Sequence, residues 1–190
     1  MAATVAFRRL ASRYDDELWG LVAEVRGPAP DDLVRFVAGL DPVGDALDLG
    51  CGDGALTTLL RAERVTAADV SGVALARARG RAPGAKLVEL EPDAPLPLGD
   101  SSFDLVLCAE TIEHVRDVQL LLSEVRRVLR PGGRLALTTP AHRRATVPDP
   151  LSPHIRFFTR RSLRELLDAM GFDVASLRRR SGTLLAQATR

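Results

Sequence analysis

An apolar segment that runs straight into three alternating glycines, ALDLGCGDGAL at 46–56, leaves few folds open to this chain. Glycine is required where backbone turns tightly or lies against a ligand with no Cβ between them, so the segment reads as a strand, a ligand-facing turn and a following helix. Gly50, Gly52 and Ala55 also satisfy the loose dinucleotide pattern, and the turn alone does not choose its ligand. Asp48 discriminates. A carboxylate two residues before the first glycine repels a pyrophosphate and favours an ammonium group. Asp69 closes the next apolar segment, nineteen residues beyond Gly50, where one carboxylate can accept both hydroxyl hydrogens of a ribose.

From residue 45 onward short apolar strands alternate with helical patterns. Strands are expected near 45–49, 65–69, 86–90, 104–108 and 134–139, with helices between them, and near 172–178 and 183–188. Such alternation implies an α/β fold with a mostly parallel sheet covered by helices. Val118, Leu121, Leu122, Val125, Val128 and Leu129 form one apolar stripe, and Pro131, Gly132 and Gly133 are expected to end that helix. Ser71 and Thr159 are candidate N-caps, and Gly171 closes the helix that Thr159 opens. Residues 1–40 read as two helices divided by GPAP at 27–30, with Asp31 or Asp32 capping the second. The 190 residues are expected to form one domain, with 1–40 as a helical lid and 41–190 as the core.

Charged residues make up 27% of the chain and hydrophobic residues 46%, and no apolar run approaches the ~18 residues of a membrane span. The N-terminal residues lack the apolar stretch of a secretory signal, so the expected location is cytoplasmic and no membrane partner is expected. Two cysteines, Cys51 and Cys108, cannot make a disulfide framework and read as small buried residues. Charge is unevenly distributed: from Arg126 onward there are 14 arginines against four acids. A surface for an anionic partner such as RNA is one reading, and solvated helix faces are the simpler one.

LDLGCGDG, the acidic strand end in AADVS, PLPLGDSSFDLVLCAETIEHV at 95–115 and LLSEVRRVLRPGGRLALTTP at 121–140 together resemble class I methyltransferases that use S-adenosylmethionine. In order and spacing they are similar to the ubiquinone-biosynthesis type of O-methyltransferase, over residues 45 to 189. The resemblance implies a doubly wound, Rossmann-like, seven-stranded sheet of order 3-2-1-4-5-7-6 with the last strand antiparallel. It implies S-adenosyl-L-methionine as cofactor, lined by Asp48, Gly50, Cys51, Gly52, Gly54, Asp69 and Val70, with Glu91 or Asp93 on the adenine side. It also implies a small-molecule acceptor; the oligomeric state is left open.

Methyl transfer from a sulfonium needs alignment more than a universal catalytic group, but a hydroxyl or ammonium nucleophile also needs a proton acceptor. CAETIEHV supplies His114 first, then Glu110 and Glu113. Their i, i+3, i+4 spacing places three polar side chains on one side of a helical turn. The same spacing could serve a divalent metal with His154 as a fourth ligand, although no metal is assigned. In that respect the segment resembles small-RNA 3′-terminal ribose 2′-O-methyltransferases, whose remaining histidine motif this chain lacks. Tyr14 is a candidate lid residue, Trp19 reads as helix packing, and 140–158 reads as the specificity loop.

Overall fold

Seven apolar segments pair into a single sheet in the computed structural model, which describes residues 16, 17, 19, 29–142 and 154–190. The strands are β1 (Val43–Leu49), β2 (Ala62–Asp69), β3 (Lys86–Glu89), β4 (Phe103–Ala109), β5 (Leu129–Pro140), β6 (Asp173–Arg180) and β7 (Thr183–Thr189). Their order is β3-β2-β1-β4-β5-β7-β6. β3, β2, β1, β4 and β5 run parallel, and β7 is antiparallel to both β5 and β6. The order and strand directions are those that the resemblance implies.

Alternate residues of the central strands face opposite layers, as the pleat dictates. Leu47, Leu49, Val106, Cys108, Leu135 and Leu137 pack toward α3 (Val118–Val128) and α4 (Arg160–Ala169), while Ala46, Leu105, Leu107 and Ala136 pack toward α1 (Asp31–Ala38). α2 (Gly72–Arg81) adds Leu75 and Ala78 against Cys51 and Ala67. In α3 the buried Val118, Leu122, Val125 and Val128 recur on one helical stripe. Each such side chain contributes about 1.5–3 kcal/mol through burial. Among the described residues no helix is long and apolar enough to cross a membrane.

Several local expectations give way to geometry. The glycine turn leads into one 3-10 turn, Thr57–Leu59, because β2 already begins at Ala62, three residues before the expected strand, and leaves no room for a helix. Between β3 and β4 the chain has turns only, with Pro92, Pro95 and Pro97 removing backbone donors that a helix needs. α3 ends at Val128, before the proline; Leu129 already pairs with Phe103, and Pro131, Gly132 and Gly133 fall at the irregular start of β5. Gly132 has φ 76° there. α1 starts at Asp31 with Pro30 as N-cap, so Asp31 and Asp32 sit in the first turn instead of capping it. Ser71 and Thr159 do cap: Ser71 Oγ accepts from Ala74 N–H, and Thr159 and Ser162 form a reciprocal capping box. The first expected helix lies mostly outside the described residues, as do Tyr14 and residues 143–153 of the expected specificity loop; Asp16, Glu17 and Trp19 are helical.

Candidate active site

The parallel strands leave their carboxyl ends on one side of the sheet, and the order reverses between β1 and β4, the place where doubly wound sheets open a crevice. Gly50 and Cys51 N–H both donate to the Ala68 carbonyl, at 2.8 and 3.1 Å, which ties the turn after β1 to the end of β2. Gly52 N–H then donates to Asp69 Oδ2 at 2.8 Å, and Ser71 N–H donates to Asp69 Oδ1 at 2.9 Å. Asp69 is therefore held by backbone donors from two loops, with Val70 N–H a further donor. Burial raises its pKa, and those N–H groups work against the rise.

Left-handed backbone explains the glycines. Gly50 has φ 76°, and a Cβ there would lie 2.3 Å from Thr111 Oγ1; Gly52 has φ 54°, and a Cβ there would lie 2.5 Å from the Trp19 indole. The close neighbours are thus protein side chains. Trp19 lies on the glycine turn and is not confined to packing within its own helix. Asp16 Oδ1 accepts from Ser71 Oγ at 2.6 Å and from Val73 N–H at 3.2 Å, so Asp16 seats on the start of α2.

Asp48 occupies the next-to-last position of β1 and is buried. Its Oδ2 accepts from Thr57 Oγ1 at 2.6 Å. Burial pushes its carboxyl up to about 7, the Thr57 hydrogen bond opposes that rise, and the Asp69 charge adds to it. Cys51 and Cys108 are buried free thiols whose pKa values burial also raises. Val70 follows Asp69, and Glu91 and Asp93 lie in the loop after β3, Asp93 with φ 52°.

The Glu110, Glu113 and His114 side chains do not share one helical face. Glu110 has φ 50° and precedes a short 3-10 turn, Ile112–His114; its Oε1 accepts from Thr138 Oγ1 at 2.9 Å. Glu113 is buried at 1% exposure, and its Oε2 accepts from Thr139 Oγ1 at 3.0 Å. His114, with its side chain 34% exposed, places Nε2 3.9 Å from Glu113 Oε1. His154 joins them from a distant part of the chain, its ring 5.0 Å from the His114 ring and edge-on to it. Of the four residues that the spacing groups together, Glu113, His114 and His154 meet and Glu110 is turned aside, because a positive φ interrupts the turn.

Thr57, Thr111, Thr138, Thr139, Asp16 and Trp19 belong to this site without any sequence signal that marks them as such. Threonines following apolar segments carry no local indication of which carboxylate they will meet, whereas TIEHV and LALTTP can be paired once β4 and β5 are placed side by side. Part of the basic excess after Arg126 is absorbed by ion pairs with acids of the earlier segments. Arg127 pairs with Glu124 and Asp100, Arg130 with Asp45 and Asp104, and Arg134 with Asp41.

The methyltransferase domain family matches residues 47–137, the span from β1 through most of β5. A relative from Mycolicibacterium smegmatis described as a probable S-adenosylmethionine-dependent methyltransferase is 38% identical over 136 residues, covering 68% of this chain and 52% of that protein. Malonyl acyl-carrier-protein O-methyltransferase of Pseudescherichia vulneris is 32% identical over 142 residues, covering 74% and 54%. The chain thus spans about half the length of these curated relatives. A crystal structure of an S-adenosylmethionine-dependent methyltransferase from Aquifex aeolicus superposes with a TM-score of 0.67 at 21% identity, covering 85% of this chain and 94% of the other.

Proposed function

We propose that this chain, which belongs to the class I S-adenosylmethionine-dependent methyltransferases, transfers a methyl group from that cofactor to an oxygen or nitrogen of a small molecule. The observation that carries the reading is the double anchorage of Asp69, which fixes a carboxylate and the glycine turn together at the switch point of the sheet. A carboxylate fixed there can accept ribose hydroxyl hydrogens. The two buried carboxylates, Asp48 and Asp69, suit a ligand that is cationic at one end and carries a ribose. The O-methyltransferase relative supports an oxygen acceptor on a small acyl group.

The sulfonium of the bound cofactor supplies an electrophilic methyl group. The chain's own residues hold, align and exclude water. Gly50, Cys51, Gly52, Gly54 and Val70 line the cofactor, Asp69 takes the ribose, Asp48 takes the ammonium directly or through water, and Glu91 or Asp93 takes the adenine side. Residues 1–40 act as a lid on a single domain with core 41–190, Asp16 and Trp19 being its contacts with α2 and the glycine turn. Such positioning can contribute about 7–11 kcal/mol to a displacement. His114 accepts the proton of the acceptor group, with Glu113 Oε1 3.9 Å from its Nε2, and Glu110 holds the end of β4 to Thr138.

Calorimetric titration with S-adenosylhomocysteine, with NADH as comparator and Asp69→Ala as control, tests the reading. Saturable binding of the first ligand alone, weakened in the variant, is expected. Preference for NADH, or no binding, would overturn it. An acceptor screen on the binding-competent protein then separates methyl transfer from cofactor binding without turnover.

A further inference from the structure

Glu113, His114 and His154 each offer one donor atom, and the three atoms lie within 4.8 Å of one another. From this geometry we infer that they form a site for a divalent transition-metal ion at the carboxyl end of β4, with three protein donors and a fourth coordination position left open to a ligand. The inference that an acceptor hydroxyl occupies the open position rests on the methyl-transfer reading. The ion site itself does not.

Two features argue for a built site over a chance meeting of side chains. Glu113 carbonyl accepts both Ile155 N–H at 3.0 Å and Arg156 N–H at 3.1 Å, and Arg156 Nε donates to the Val115 carbonyl at 3.0 Å. The segment carrying His154 is therefore registered by backbone bonds on the turn that carries the other two donors. In addition, Thr139 Oγ1 holds Glu113 Oε2, which turns Oε1 toward the imidazoles. That is the outer-shell arrangement that orients a ligating carboxylate.

The donor set selects the ion. Two imidazoles and one carboxylate suit zinc, cobalt, nickel or iron and disfavour magnesium and calcium, which prefer oxygen. Three protein ligands plus one open position is also the pattern of catalytic zinc sites. Metal–ligand bonds of about 2.0–2.2 Å place tetrahedral ligands about 3.3–3.5 Å apart, so the 3.9 Å between His114 Nε2 and Glu113 Oε1 contracts by about half an ångström on loading. With an ion bound, His114 serves as a ligand in place of proton acceptor: the ion lowers the pKa of a hydroxyl at the open position, whose proton then passes to solvent.

The test uses the full, untagged chain, freed of metal by chelator and titrated with Co²⁺ alone, followed by calorimetry and by visible absorption. One equivalent per chain with a tetrahedral-type cobalt spectrum, displaced by Zn²⁺ and not by Mg²⁺, is expected. Affinity should fall more than 100-fold in His154→Ala and His114→Ala, and about 10–100-fold in Thr139→Val, which removes only the outer-shell bond. No stoichiometric binding, a preference for Mg²⁺, or wild-type cobalt affinity in both histidine variants would overturn the site. S-adenosylhomocysteine titration of the same samples keeps the two readings apart. Lost cobalt binding with retained nucleoside binding is expected of the histidine variants and shows that they fold, whereas wild-type protein that binds cobalt but not S-adenosylhomocysteine would sink the methyltransferase reading and leave the ion site standing.

Discussion

Asp48→Asn separates what the buried carboxylate costs the folded chain from what it contributes to a ligand. In the folded protein its carboxyl titrates at about 7, against 3.8 as the ordinary value. The folded state therefore binds more protons than the unfolded state between about pH 4 and pH 7, so stability falls as pH rises through that window. At 1.36 kcal/mol for each pH unit, the ionised carboxylate costs about 4 kcal/mol above pH 7. Asparagine can still accept from Thr57 Oγ1 and carries no charge. The variant should be more stable than wild type by up to about 4 kcal/mol at pH 8, a rise in Tm on the order of 10 °C, and nearly equal to it at pH 4. Ligand affinity should move the other way. A bound ammonium needs the ionised form, so wild-type affinity for S-adenosylhomocysteine should weaken about tenfold per pH unit below 7, reaching about 100-fold at pH 5, while the variant binds weakly with little pH dependence. Thermal denaturation across pH 4–8.5 and calorimetry in buffers of different ionisation enthalpy measure both. Equal melting temperatures at pH 8, or a wild-type affinity that is flat from pH 5.5 to 7.5, would refute the reasoning.

Three further outcomes are expected. Gly50→Ala combines φ 76° with a Cβ placed 2.3 Å from Thr111 Oγ1, so it should destabilise the fold by about 2–4 kcal/mol in denaturant titration, and Thr111→Ala in the same chain should recover only part of the loss. Trp19 is the single tryptophan, so its emission should change on titration with S-adenosylhomocysteine and saturate at the calorimetric Kd; an unchanged spectrum would argue against the lid contact at Gly52. Thr159→Ala breaks the capping box with Ser162 and should lower stability by about 1 kcal/mol without changing ligand affinity, which equilibrium unfolding and calorimetry check together.

Signals that depend on local spacing are readable in the chain, and signals that depend on which strands become neighbours are not. The stripe Val118, Leu122, Val125 and Val128 needs only helical periodicity to be found, and Ser71 and Thr159 need only their position before a helix. The 3-10 turn after Gly54 reads as a helix in the sequence because apolar and polar residues at 55–61 fit either, and only the early start of β2 decides between them. Thr139 meets Glu113, and Thr138 meets Glu110, because β5 lies beside β4 with Ala109 opposite Thr138. No pattern within TIEHV or LALTTP contains that register. His154 is legible as a histidine of interest, yet its meeting with Glu113 depends on backbone bonds from Ile155 and Arg156 that no spacing rule predicts.

The same dependence on neighbours accounts for part of the charge asymmetry. An excess of arginine after residue 126 and of acid before it looks, in one dimension, like a surface waiting for an anionic partner. The sheet order places β5 beside β4 and β4 beside β1, so arginines of the second half are brought to acids of the first. Arg130 bonds both Asp104 of β4 and Asp45 of β1, and Asp45 also pairs with Arg64 of β2. These guanidiniums hold the Asp45 carboxyl down at about 2. Exposed pairs of this kind add little stability singly, and a network spanning four strands constrains the edge where those strands begin. That edge lies opposite the carboxyl ends carrying Asp48, Asp69 and Glu113. The two ends of the sheet therefore use charge differently. Paired charges fasten one end, and the carboxylates whose burial is costly collect at the other, where a cationic ligand would offset that cost.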